Sequence, residues 1–151
     1  MAFTHILVPI AGNPVDEEAI HLAIMVARQD KAKVSAIHVI EVQRNLPLNA
    51  ENAQQIERGE LILNHAERVA KSAKGSLETE LLQARVAGAA LVNEAIERKV
   101  DLIIVGVPYR KPLGEFILGA TTNYILQNAP CRVWLCRELP RDDASSPAGT
   151  R

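Results

Sequence analysis

A chain of 151 residues that is 48% hydrophobic carries enough apolar mass for one domain with a real core. Its 17 Lys and Arg against 18 Asp and Glu leave a net charge of −1 and a pI of about 6.4, which gives no electrostatic reason to expect nucleic acid as a partner. No apolar run approaches the roughly 20 residues of a membrane span, and two cysteines are too few for a disulfide framework.

Residues 1–5 lack the charged-then-apolar pattern of a secretory leader, so a cytoplasmic protein is expected. The run from His5 to Ile10 is short, β-branched and continuously apolar after its first residue, as in a parallel strand covered on both faces. Gly12-Asn13-Pro14 breaks it and opens a helix. Asn13 suits the cap and Pro14 the first helical position, and Asp16, Glu17 and Glu18 complement the positive end. Ala19, Leu22, Ala23 and Val26 recur at helical spacing and are expected to face the sheet.

Val34 to Val42 reads as a second strand, and Asn45 to Asn49 as the break after it. A long helix is expected from Ala50 to about Ala73, with Ile56, Leu63, Ala66, Ala70 and Ala73 on one face. Gly59 is a mild fault in it, costing on the order of 1 kcal/mol relative to Ala. Gly75 is the expected terminator. Leu77 to Ala84 has the length of a strand, and Ala87 to Lys99 has the pattern of a helix, with Leu91, Val92, Ala95 and Ile96 apolar and Arg98 and Lys99 at its negative end.

The stretch from Asp101 to Arg137 organises the rest. A buried run, Leu102 to Val105, stops at Gly106, and Asp101 is expected to cap the turn before it. A loop with Arg110 and Lys111 follows, Gly119-Ala120-Thr121-Thr122 opens a helix, and Val133 to Cys136 forms a last strand. A helix opening after a strand and a basic loop presents unsatisfied N–H groups to an anion. Strand and helix alternate four times before the final strand, which specifies a doubly wound α/β sheet with right-handed crossovers. Residues 138–151 are nearly free of apolar side chains and are expected to form a disordered tail after a single domain, 1–137.

Several other features carry no chemistry. Gly114 to Thr121 nearly copies a phosphate-binding P-loop, but Ala120 stands where the lysine belongs and no strand precedes it directly. The four histidines are scattered, with His38 expected as a packed strand residue, and no Ser-His-Asp or Cys-His set assembles. Hence no catalytic residue is assigned. Cys131 and Cys136 are expected to be buried or half-buried thiols on opposite faces.

Ile6-Leu7-Val8-Pro9, His38-Val39, Asp101 to Gly106, Leu118-Gly119-Ala120 and Asn128-Ala129-Pro130-Cys131-Arg132-Val133 together resemble the universal stress protein family, over residues 3 to 137. The resemblance implies a Rossmann-like five-stranded parallel sheet in the order 3-2-1-4-5, like that of the adenine nucleotide alpha hydrolases. It also implies a homodimer through the last strand, Arg132, Val133, Trp134, Leu135 and Cys136. It further implies an adenine nucleotide, ATP or AMP, with no metal beyond the Mg²⁺ a nucleotide brings.

By the same likeness, Pro9, Ile10 and Ala11 would form one wall of the site, and Val39 and Ile40 would flank the base. Gly106, Val107, Arg110, Gly119, Ala120, Thr121 and Thr122 would meet the phosphates. The nucleotide-binding pattern of the family, Gly-x2-Gly-x9-Gly-(Ser/Thr), is matched at Gly106 and Gly119. It is departed from at Tyr109 and Ala120, and Ala11 stands where the family's aspartate follows the first strand. Tyr109 is expected at the mouth of the site, either blocking it or stacking on a base. Two readings therefore stay open: a nucleotide binder in a stress-response role, and a dimerisation or adaptor module with a degraded site.

Overall fold

The computed structural model describes residues 2–140. Five parallel strands, β1 (His5–Pro9), β2 (Lys33–Glu41), β3 (Glu78–Ala84), β4 (Leu102–Val107) and β5 (Arg132–Arg137), lie in the order β3-β2-β1-β4-β5. The helices α1 (Val15–Asp30), α2 (Ala53–Ser72), α3 (Ala87–Glu97) and α4 (Ala120–Asn128) make the crossovers. This is the doubly wound sheet expected from the alternation of strands and helices, in the order that the family resemblance implies. The reversal between β1 and β4 sends α1 and α2 to one face of the sheet and α3 and α4 to the other.

Strand alternation divides the core accordingly. Ile6, Val8, Ala36, Leu102 and Ile104 pack under α1 and α2, against Ala19, Ile20, Ala23, Ala66 and Ala70. Leu7, Ile37, Ile103 and Val105 pack under α3 and α4, against Leu91, Val92, Ala95 and Ile125. Because the central strands are buried on both sides, their sequences are continuously apolar, which is why they were legible.

Several local expectations are corrected. The inward stripe of α1 is Val15, Asp16, Ala19, Ile20, Ala23, Ile24 and Ala27, whereas Leu22 and Val26 sit half-buried on its flank. Pro14, not Asn13, holds the cap position and supplies no side-chain bond. The long helix starts at Ala53 rather than Ala50, because the Asn52 carboxamide accepts the Gln55 N–H at 3.1 Å and sets the end there. Lys74, not Gly75, takes the left-handed conformation after it, with φ 61°.

Gly59 is no fault: a Cβ there would lie 2.7 Å from Leu81 Cδ1 and 3.0 Å from His38 Cδ2, so its absence lets α2 settle onto the sheet. Asp101 ties down the start of β1 rather than its own turn, accepting from the Thr4 N–H, the Thr4 hydroxyl and the His5 N–H at 2.9 to 3.2 Å.

At the other edge, the Trp134 ring meets Phe3 edge-on at 5.6 Å. Cys131 and Val133 pack toward the α3–α4 core and Trp134 and Cys136 toward the α1–α2 core. Both cysteines are free thiols on opposite faces, and burial pushes both thiols up in pKa. Of the expected tail, residues 141–151 lie outside the described residues. Glu138, placed in that tail, is held: its N–H donates to Val107 O at 2.8 Å and its carboxylate accepts the Tyr109 N–H at 3.1 Å.

Candidate functional site

Where the strand order reverses, the carboxyl ends of β1, β2 and β4 leave a cleft of about 490 Å³, the place where ligands settle in open α/β sheets. Pro9, Ile10 and Ala11 form one wall, Val39 lies across from them, and Gly106, Thr121 and Thr122 close the β4–α4 side. Seven of the expected residues thus come together. The other six, Tyr109 among them, do not line the cleft. Ile40 is buried one step along β2 from Val39, and alternation turns it to the opposite face. Val107 belongs to the α3–α4 core. Arg110 lies in the exposed loop, and Gly119 and Ala120 stand at the start of α4 without reaching the cleft.

Tyr109, expected to block the mouth or stack on a base, instead stacks on Phe116 with ring centroids 5.6 Å apart. The Arg137 guanidinium sits 5.0 Å above the Tyr109 ring and Lys111 Nζ 6.0 Å from it. These cation–π contacts hold the ring and both charges at the β5 side of the loop.

Residues not foreseen as site residues complete the walls: Asp16, His38, Glu41, Gln55, Ala87 and Leu91. Asp16 is the most informative. Its Oδ2 accepts the N–H groups of Ala11, Gly12 and Asn13 at 2.9, 2.8 and 3.1 Å. The donors after β1 are therefore already satisfied from within the chain. Burial raises the Asp16 pKa; the Gly12, Ala11 and Asn13 donors and nearby His38 pull it back only in part. Gly106 belongs to the same arrangement, since a Cβ there would lie 3.0 Å from Val15 O and 3.2 Å from Asp16 Oδ1.

His38 Nδ1 lies 2.7 Å from Ile10 O; a carbonyl can only accept, so Nδ1 carries the proton and ties β2 to the end of β1. It is a packed strand residue, as expected, that also walls the cleft. Glu41 Oε2 accepts the Ala87 N–H at 2.8 Å and caps α3. Of the helix starts that line the cleft, that of α3 therefore has its first N–H answered. That of α4 is open: Gly119 offers no side-chain cap, and the N–H groups of Ala120, Thr121 and Thr122 have no acceptor among the described residues. The Thr121 and Thr122 hydroxyls stand beside them. The lining contains two carboxylates and neither Lys nor Arg, so favourable potential for an anion comes from the α4 terminus. Among the described residues no cluster of His, Cys, Asp and Glu has the makings of a metal site.

A parallel doubly wound sheet with an open cleft at its switch point defines the class of α/β fold in which ligands, where they bind, sit outside the carboxyl ends of the strands. The profile of the universal stress protein family matches residues 2–137, and the chain belongs to that family. It is 28% identical over 146 residues to a universal stress protein of Methanocaldococcus jannaschii, covering 93% of this chain and 85% of that one. It is 29% identical over 149 residues to a putative universal stress protein of Staphylococcus aureus, covering 94% and 90%.

Among solved structures, a universal stress protein from Archaeoglobus fulgidus has a TM-score of 0.74 at 20% identity, covering 89% of this chain and 94% of that one. A structure of the Archaeoglobus fulgidus protein in complex with dAMP has a TM-score of 0.71 at 17% identity, covering 89% and 98%. A universal stress protein in complex with cAMP has a TM-score of 0.68 at 21% identity, covering 91% and 98%.

Proposed function

We propose that this universal stress protein binds an adenine nucleotide carrying a single phosphate in the β1–β4 cleft and acts in a regulatory stress-response role in the cytoplasm. The observation that carries the reading is the uncapped start of α4, whose free N–H groups and threonine hydroxyls meet the open cleft. One phosphate fits those donors, and the base lies against Val39. The β- and γ-phosphates of ATP find no lysine or arginine in the lining. The structural relatives in complex with dAMP and cAMP support a monophosphate.

The functional unit is a homodimer through β5. That strand is the edge of the sheet, and Val133, Trp134 and Leu135 are apolar, with Leu135 42% exposed. Leu135→Arg is expected to yield monomers in sedimentation analysis.

Denaturing freshly purified protein and identifying what is released, followed by calorimetric titration with AMP and ATP, tests the ligand. AMP binding at least as tight as ATP is expected. A protein that arrives empty and ignores both nucleotides is the second reading, a dimerisation or adaptor module. The specific observation favouring that reading is Asp16 answering the donors after β1, where Ala11 supplies no carboxylate to a ligand.

A further inference from the structure

On the α1–α2 face of the sheet, the N-terminal end of α1 and the middle of α2 flank an open pocket of about 390 Å³. That volume lies within the range of small-molecule sites, and like them the cavity is mostly apolar with a few polar groups at one end. Ile20, Leu61, Ile62 and Ala66 provide the apolar body, and Arg58 stands over the turn at Gly12. Its Nη2 lies 3.3 Å from where a Cβ of residue 12 would be.

The charges around this cavity are unequally matched. Glu17 is joined to His65, with Oε2 and Nε2 2.7 Å apart. Asp16 is answered by three backbone N–H groups. Arg58 forms no ion pair among the described residues, although two carboxylates line the same cavity. An open, largely apolar groove beside one unmatched guanidinium is complementary to a small carboxylic acid with an aliphatic tail. The planar fork suits a carboxylate, and the tail replaces water along the isoleucine and leucine side chains.

We infer that the α1–α2 cavity is a binding site, separate from the nucleotide cleft, for a small aliphatic carboxylate whose head is held by Arg58. The inference does not depend on nucleotide binding. The two cavities do, however, share Ile10 and Asp16 as a dividing wall.

Octanoate is the probe, titrated into the ¹⁵N-labelled full chain, with octanamide as its uncharged counterpart. Octanoate is expected to shift the amides of Gly12, Asn13, Ile62 and His65, and to bind more tightly than octanamide. Arg58 is exposed, so Arg58→Gln keeps the fold, which its amide spectrum verifies. That variant is expected to weaken octanoate about ten- to a hundredfold while leaving octanamide unchanged. Three results would overturn the inference: no shift up to the solubility limit, equal octanoate affinity in Arg58→Gln, or shifts confined to Ala87, Thr121 and Thr122 in the nucleotide cleft.

Discussion

Replacing Asp16 by alanine removes the one acceptor that serves three consecutive backbone donors. A hydrogen bond to a charged group contributes about 1.5–3 kcal/mol, but Ala11 and Gly12 are exposed and water takes over part of what is lost. At roughly 1 kcal/mol for each donor left to water, Asp16→Ala should cost about 3 kcal/mol, or about 6–12 °C in midpoint for a chain of this size. Asp16→Asn keeps an oxygen where Oδ2 lies and loses only the charge assistance, so it should cost about half as much.

The pH dependence has a definite sign. Burial, incompletely offset by the three donors, leaves the native carboxyl with a raised pKa. Its titration therefore favours the native state fully below the unfolded pKa of about 3.9, and that contribution is lost as pH rises through the native value. The stability difference between wild type and Asp16→Asn should be smallest near pH 7 and grow toward pH 3. Urea unfolding of the three proteins across that range measures it. An alanine variant within about 1 kcal/mol of wild type, or a difference from Asp16→Asn that grows as pH rises, would refute the assignment.

Gly59→Ala gains up to about 1 kcal/mol in helix propensity but drives a methyl into Leu81 and His38; a net loss of about 1 kcal/mol in urea melts is expected, and a stabilised variant would contradict the close approach of α2. Gly106→Ala meets the backbone oxygen of Val15, which cannot rotate away, and should cost about 1–3 kcal/mol. Gly119→Ala points into open space from a φ of −72° and should leave thermal stability within about 0.5 kcal/mol. For Asp101, burial opposes ionisation, but the N–H groups of His5 and Thr4 and the Thr4 hydroxyl outweigh it and lower the pKa. Its contribution is present above the unfolded pKa and lost as pH falls through the native value, so wild type should lose more stability between pH 6 and pH 3 than Asp101→Asn does.

The strands and helices are legible because each central strand is apolar on both faces and each helix has an apolar stripe; their order in the sheet follows from the family resemblance, not from those patterns. The cleft was legible where it is made of chain ends, at Pro9 to Ala11, Gly106 and Thr121 to Thr122. It was not legible where a side chain travels to another element. Three adjacent acids give Asp16 the look of a helix-start charge, yet its spacing to Ala19, Ile20 and Ala23 puts it on the buried stripe. That was the available signal. Glu41 capping α3 joins residues 46 positions apart, and nothing local to Glu41 announces it. Ile40 and Val39 are equally apolar, and only the register with β1 and β3 decides which faces the cleft. Tyr109 was referred to the cleft by its place in a motif, whereas its ring follows Phe116 and Arg137.

The turn between β1 and α1 is complete without a guest. With its three amides satisfied by Asp16, it does not have to be ordered by whatever enters the cleft, and occupancy changes its free energy little. A receptacle whose shape persists when empty follows the concentration of its ligand by simple mass action. If the cleft binds as proposed, filling and emptying leave this side of the molecule alike, and any signal that distinguishes the two states originates across the cleft, at the first turn of α4 and the loop that leads into it.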